Sequence, residues 1–388
     1  MMMAQLNRRR FLIGAGAVVG GVASGYGTRL LGGRPILPEA KAQYPVHSAT
    51  RPSILSGVAI RPDHIEAGSG LPNRLLARYD LFIPEYHAQW SAIEYEPGRR
   101  WFENFDRIVA YAQSRGAVIR GHALIWENMT PEWVRTGLAE TGGWSLVHNH
   151  FDAMLSRYND SVPEWVVVNE CIDTENGVDD MRQTSFQRAF GNGYVERAFR
   201  TARAMAPNSR LMLNEYGLEY HNPVDEARRN ALLRLVERMK MANVPLDVVG
   251  LQAHLDLSKG PLATKAIATF CRDLAAMDVD LAVTELDVLE HDRSGSIDAR
   301  DRRVADEAKA YLDTVLQQPR VRSVATWGLS DRDSWLQERS PSTKSAASCL
   351  PVDCTTMNRG LPYDGDLAAK PMASAVGGTI LSARTRMT

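Results

Sequence analysis

The chain predicts an α/β fold, a single (β/α)8 TIM barrel, and three observations carry that reading. Apolar runs of strand length recur along the chain, segments of helical period lie between them, and after the first forty residues no linker or low-complexity tract divides the sequence. The strand-like runs are SGVAI (56–60), LFIPE (81–85), VIRGHALIW (118–126), WVVVNE (165–170), RLMLNEYG (210–217), VVGLQAHL (248–255), LAVTELDV (281–288) and VATWGLSD (324–331), eight in all. Between them the apolar period changes from 2 to 3.6. Phe105, Ile108, Val109 and Ala112 form one helical stripe before Gly116. Leu232, Leu235, Val236 and Met239 form another, and Ala308, Tyr311, Leu312 and Val315 a third before Pro319.

The fourth run shows why the strand ends matter. Residues 162–170 read VPEWVVVNE, a stretch of β-branched residues typical of a strand buried on both faces, and it stops on Asn169 and Glu170. A polar pair there is either a helix cap or part of a site, because the C-terminal ends of barrel strands face the active-site mouth. The other runs favour the site. Run two ends at Glu85, run three carries His122 and Trp126, and run five carries Asn214, Glu215 and Tyr216. Gln252 and His254 lie on run six, Glu285 and Asp287 on run seven, Trp327 on run eight, and Trp335 just behind it.

Composition narrows the class of partner. The chain has 388 residues, 44% hydrophobic and 23% charged, with a formal net charge of −1, and it has no long basic run beyond its N-terminus. That argues against nucleic acid and for an uncharged ligand. The N-terminal NRRRFLIGAGAVVGGVASG joins Arg8 and Arg9 to a modestly apolar, glycine-rich stretch, and Ala40-Lys41-Ala42 offers a small-x-small cleavage site. Residues 1–42 therefore resemble a twin-arginine export signal, and the mature catalytic domain, 43–388, is expected to fold before export to the periplasm or medium. A membrane anchor is the alternative, but the apolar stretch falls short of the roughly 20 residues needed to span. A monomer with no membrane contact after signal removal is expected.

Four cysteines in an exported chain permit two bridges. Cys349 and Cys354, in CLPVDC, are the expected local disulfide, whereas Cys171 and Cys271 are expected to be buried free thiols. No spacing matches a zinc site. No metal or cofactor is expected.

Carboxylates, amides, imidazoles and indoles together suit a sugar site, since amides and carboxylates bond hydroxyls and indole faces stack on pyranose C–H faces. Two carboxylates can divide the cleavage of a glycosidic bond, one donating a proton to the leaving oxygen and the other attacking or activating water. Glu170 and Glu285 are the pair chosen, each following a hydrophobic strand, on strands four and seven across the mouth from each other. Retention of configuration requires carboxyl groups about 5–5.5 Å apart.

At this point the blocks of the sequence resemble glycoside hydrolase family 10, the retaining endo-β-1,4-xylanases. RGHALIW, WVVVNE, LNEYGLEY, GLQAHL, VTELDV and TWGLSDRDSW are similar to family blocks in the family's order, and LPYDGDLAAKP resembles its closing block. The resemblance runs from about residue 55 to 376. It implies that Glu170 is the general acid/base, Glu285 the nucleophile, and Asn169 the partner of the 2-hydroxyl at the cleavage point. It further implies that His254 bonds Glu285 with Asp287 orienting the imidazole, and that His122, Trp126 and Gln252 line the same subsite beside a wall of Trp327 and Trp335. Glu85 and Tyr216 complete the candidate substrate-binding set. The implied substrate is a β-1,4-linked polysaccharide or oligosaccharide.

Two departures bear on specificity. The family's E-N-E-M-K-W reads EYHAQW here, so Tyr86 and Gln89 replace the Asn and Lys that grip the sugar one unit further from the cleavage point. After Trp126 the usual His is Glu127, a carboxylate placed near the cleft. The expectation is intact cleavage chemistry with altered glycone recognition, extending to a decorated or different β-glycan. Two other classes fit the same residues less well: a metal-dependent barrel hydrolase using His122, His254, Glu170 and Asp287, for which the chain lacks an early H-x-H pair, and a non-catalytic glycan-binding barrel, which has no need of both carboxylates. Away from the mouth, Trp90, Trp101, Trp133, Trp144 and Trp165 are expected to be packing residues, His87, His148, His150 and His221 surface or loop residues, and Glu94, Glu96, Arg99 and Arg100 a solvated loop.

Overall fold

The computed structural model describes residues 53–66, 68, 71–337 and 357–387. The expected signal segment and Cys349 and Cys354 lie outside the described residues. Among the described residues nine strands form: β1 (Leu55–Ile60), β2 (Leu81–Pro84), β3 (Val118–Gly121), β4 (Glu164–Asn169), β5 (Arg210–Glu215), β6 (Val248–Leu251), β7 (His254–Asp256), β8 (Asp280–Leu289) and β9 (Val321–Thr326). Eight of them pair in parallel and close into a barrel, since β6 pairs with β8, and β9 returns to β1. Short β7 extends the lip by pairing with the far end of β8, His254 opposite Asp287.

The predicted helical stripes are buried as the pattern requires. Phe105, Ile108, Val109 and Ala112 are buried on Glu103–Ser114; Leu232, Leu235, Val236 and Met239 on Pro223–Met241; and Ala308, Tyr311, Leu312 and Val315 on Ile297–Val315. They join the outward-facing strand residues in one large core. The barrel interior holds two smaller clusters, Ala59, Leu81, Ile83, Val118, Ala325 and Trp327 in one, and Ala123, Val166, Met212, Val248 and Ala282 in the other. Gly121 exists for packing. A Cβ there would lie 2.1 Å from Cε3 of the buried Trp165.

Strand bounds differ from the sequence reading where backbone leaves the ladder. Run three stops at Gly121, and the peptide after His122 is cis. Run six splits in two because Ala253 adopts a left-handed φ of 60°. Run eight starts earlier, at Val321, and ends at Thr326, with Gly328 at φ 107° taking the chain out of the strand.

Two irregularities aim the site. On β4 the register shifts between Val166 and Val168. Val166 faces the barrel interior, while Val167 and Val168 both pack in the outer core. On β8 the shift falls between Val283 and Leu286, and Ala282 faces inward while Val283, Leu286 and Val288 pack outward. A bulge adds one residue and re-aims everything beyond it, because strand side chains alternate with period 2. Without the slip on β8, strict alternation from Ala282 would send Glu285 and Asp287 to the outer core.

Several side chains outside the mouth differ from expectation. His150 is buried, stacked on Trp90 at 4.0 Å, so it is a packing residue rather than a surface one. Glu94 is buried and organises its loop, accepting from Gly98 N at 2.8 Å and Arg100 Nε at 2.9 Å. Trp101 is 41% exposed with the Arg99 guanidinium over its ring, whereas Trp90, Trp144 and Trp165 pack as expected. Cys171 and Cys271 are buried and free.

The closing block is bound back to the barrel by buried charge. Lys370 Nζ donates to Asp331 Oδ2 at 2.7 Å, and Arg359 grips Asp301 with two bonds of 2.6 and 2.8 Å. A buried ion pair offsets its own desolvation only when geometry and extra bonds are good, and here Lys370 also donates to Arg359 O at 2.5 Å.

Candidate active site

Glu285, midway along β8, is buried and held from several sides. His254 Nε2 lies 3.2 Å from its Oε2, Asn214 Nδ2 donates to its Oε1 at 2.6 Å, and His122 Nδ1 stands 3.9 Å from Oε1. The His254 ring is oriented from behind by Asp287, with Nδ1 to Oδ1 at 2.8 Å, and Asp287 accepts the Trp335 indole N–H at 2.6 Å. Burial opposes charge on His254, but the Asp287 and Glu285 carboxylates outweigh it and raise the imidazole to about 10. Both ring nitrogens therefore donate.

Burial likewise pushes the Glu285 carboxyl up, yet the neighbouring imidazoles and the Asn214 amide leave it below the ordinary carboxylate value. His122 is fully buried and its own pKa is lowered by that burial. Of the two imidazoles, His254 is the one within hydrogen-bond distance of Glu285.

Glu170 sits in a different setting. It follows β4 at a left-handed φ of 58°, and its side chain is 13% exposed. Gln252 Nε2 and Asn169 Nδ2 lie 3.3 and 3.4 Å from Oε1, and Arg182 Nη1 lies 3.5 Å from Oε2. Arg182 also donates to Tyr216 Oη at 2.7 Å, and Arg228 covers the Tyr216 ring while pairing with buried Glu215. Asn169 and Gln252 also bridge the two carboxylates: Asn169 Oδ1 accepts from Asn214 at 2.8 Å and from Gln252 at 3.3 Å.

The aromatic wall forms around the imidazoles. Trp327 meets His122 edge to face at 5.1 Å, Trp335 meets His254 at 4.9 Å, and Trp126 lies 6.2 Å from His122. Glu85 follows β2, is buried, and faces Arg61 Nη1 at 3.4 Å. Burial pushes its carboxyl up to about 7, with Arg61 and Tyr86 opposing.

Glu127 is not a free carboxylate in the cleft. Its Oε2 accepts from the backbone N and Oγ of Ser185 at 3.0 and 2.7 Å, capping the helix Ser185–Phe190, while Arg135 lies 3.6 Å from Oε1 and donates to its carbonyl. Gln89 also turns inward: it is 1% exposed and its amide donates to Glu85 O at 3.2 Å.

Two residues of the constellation were not singled out from sequence. Asn214 was placed at a strand end without a role, although an amide in that register is a signal, since β5 pairs it with Asn169 on one side and Gly250 on the other. Arg182 lies in the long segment between β4 and Ser185, and no local pattern marks it. Elsewhere, a cavity of about 650 Å3 lined by Leu257, Ser258, His291, Arg303 and Glu307 lies apart from both carboxylates.

A parallel barrel whose mouth sets one carboxylate in a donor cage and a second among amides, flanked by indole faces, has the equipment of a glycoside hydrolase. The chain belongs to glycosyl hydrolase family 10, whose profile it matches over residues 47–378. It is 28% identical over 309 residues to endo-1,4-beta-xylanase 5 of Pyricularia oryzae, covering 79% of this chain and 70% of that protein. Endo-1,4-beta-xylanase C of Phanerodontia chrysosporium is 30% identical over 306 residues, 77% of this chain and 69% of the relative. Among solved structures, xylanase 10B of Thermotoga maritima superposes with a TM-score of 0.73 at 23% identity, over 86% of this chain and 97% of that one. Xylanase B of Clostridium stercorarium F9 gives 0.71 at 26% identity, over 84% and 96%. The protein is a glycoside hydrolase.

Proposed function

We propose that the protein cleaves internal β-1,4 bonds of xylan with retention of configuration, Glu285 acting as nucleophile and Glu170 as general acid/base. The observation that carries the roles is the asymmetry of the two carboxylates. Glu285 is more buried and held closely by cationic His254 at 3.2 Å and the Asn214 amide at 2.6 Å, which favours an ionised oxygen ready to attack, while Glu170 is more open, with amides at 3.3 and 3.4 Å and the Arg182 guanidinium at 3.5 Å.

In the first step Glu285 attacks the anomeric carbon while Glu170 gives its proton to the leaving oxygen, so a glycosyl ester forms on Glu285 and the aglycone departs. In the second, Glu170 takes a proton from water, the water oxygen attacks the same carbon, and the ester bond to Glu285 breaks. Asn169 Nδ2 stands beside Glu170, where it suits the 2-hydroxyl of the sugar under attack. Asp287 and Trp335 fix the His254 ring and its support. Residues 1–42 are proposed to export the folded enzyme as a monomer.

A second reading rests on Tyr86 and Gln89: with Gln89 buried, no lysine ammonium is offered at that position, which favours a decorated or different β-linked glycan. Hydrolysis of a panel of β-1,4-linked polysaccharides and aryl glycosides, with Glu170→Gln and Glu285→Gln as controls, separates the two. Xylan cleavage lost in both variants is the expected result. Cleavage of aryl xylosides but not of xylan supports the second reading, and binding without any hydrolysis refutes both.

A further inference from the structure

From the loop geometry at one corner of the mouth we infer that Arg61 is a specificity-determining residue, the cation that contacts the sugar one unit out from the cleavage point on the glycone side. This rests on the proposed function. Arg61 directly follows Ile60, the last residue of β1, and Glu85 directly follows Pro84, its register partner on β2, so both side chains start at the mouth. Arg61 Nη1 lies 3.4 Å from Glu85 Oε2 and donates to Asp333 O at 3.2 Å, which joins the ends of β1 and β2 to the turn after β9.

The position identifies the side of the cleft. Trp335, two residues beyond Asp333, donates to Asp287 and so belongs to the support of Glu285. Arg182 and Tyr216 mark the opposite, Glu170 side, where the leaving group must lie. A glycone chain attached through Glu285 therefore extends toward the β1, β2 and β9 corner. There Gln89 is turned into the protein, and Arg61, with 21% of its side chain exposed, is the cation paired with Glu85, while Arg332 stands beside Asp333 in the same turn.

Among the described residues the guanidinium has donor capacity left. Asp63 takes Nε and one Nη2 hydrogen at 3.2 Å each, and Glu85 and Asp333 O take those of Nη1. The fifth N–H has Asp333 Oδ1 at 3.8 Å, too long for a hydrogen bond, so it can serve a sugar hydroxyl oxygen. Glu85, when ionised, accepts from a neighbouring hydroxyl. Hydrogen bonds that involve a charged group are about twice as strong as neutral ones, so the corner can discriminate strongly.

The test compares 4-nitrophenyl β-xyloside, which places one sugar on the glycone side, with 4-nitrophenyl β-xylobioside, which places two. In Arg61→Ala the ratio of kcat/KM for the two-sugar over the one-sugar substrate should fall about tenfold, through KM, as expected for a lost charge-assisted hydrogen bond. Arg61→Lys should restore part of it. Should Arg61→Ala fail to fold, Asp63→Asn, which removes the charged acceptor of two guanidinium hydrogen bonds, should lower the ratio in the same direction. An unchanged ratio with a lowered melting temperature would make Arg61 a clip between loops and overturn the inference. A wild type that cleaves neither substrate refutes the proposed function, and the inference with it.

Discussion

Gly250 is expected to be required for catalysis although it touches no substrate. A Cβ at this position would lie 2.1 Å from Asn214 Oδ1 and 2.9 Å from Thr284 Cγ2. Asn214 cannot stay where it is in Gly250→Ala, because its oxygen also accepts from Thr284 Oγ1 at 2.7 Å and its amide holds Glu285 and Asn169 at 2.6 and 2.8 Å. The bond to Glu285 involves a charged group and is worth about 1.5–3 kcal/mol, or about 10- to 160-fold in rate if it is needed in the transition state. Overpacking adds about 1–3 kcal/mol of destabilisation. The assay is kcat on an aryl glycoside alongside the melting temperature, for Gly250→Ala, Asn214→Ala and the double variant. If Gly250 acts through Asn214, the double variant should be no slower than Asn214→Ala. Fully additive losses, or a kcat within twofold of wild type in folded Gly250→Ala, would refute the reasoning.

Other predictions follow from the charges. His254 has its folded-state pKa raised from 6.5 to about 10, so the stability it adds is complete below about 6.5 and is lost as pH rises through about 10. Glu285, lowered from 4.5, adds stability that is present above that value and lost as pH falls. Melting temperature against pH should show the alkaline loss in wild type, and His254→Asn should flatten it. Glu127→Ala should lower stability by about 1 kcal/mol, the usual worth of a helix cap, with no change in the ranking of substrates, read by denaturant unfolding and the same substrate panel. If residues 1–42 direct export, N-terminal sequencing of the exported protein should begin at Gln43, and replacing both Arg8 and Arg9 with Lys should keep the protein inside the cell.

How much of this was legible in the sequence depends on distance along the chain. The eight barrel strands were readable because each is a contiguous apolar run, and Asn169, Glu170, His254 and Glu285 were readable because each ends or follows such a run. What alternation alone misplaces is their facing. From Ala282, period 2 sends Glu285 outward, and only the slip between Val283 and Leu286 brings it to the interior. Nothing local marks that slip. The partners at long range were equally hidden: Arg182 is 12 residues from Glu170 along the chain, and Arg61 meets Asp333 across 272. Glu127 shows the converse. Its place after Trp126 suggested the cleft, but the free N–H of Ser185 at a helix start is the stronger claimant for its carboxylate.

The most direct test of the account is to trap the intermediate. A 2-deoxy-2-fluoro-β-xylobioside with a good leaving group slows breakdown of the glycosyl-enzyme, so peptide mass spectrometry can locate the ester. The account predicts one glycosyl group per protein on Glu285, slow return of activity, and a first-formed product of retained β-configuration by NMR. A label on Glu170, or a first product of inverted configuration with no label, would contradict it.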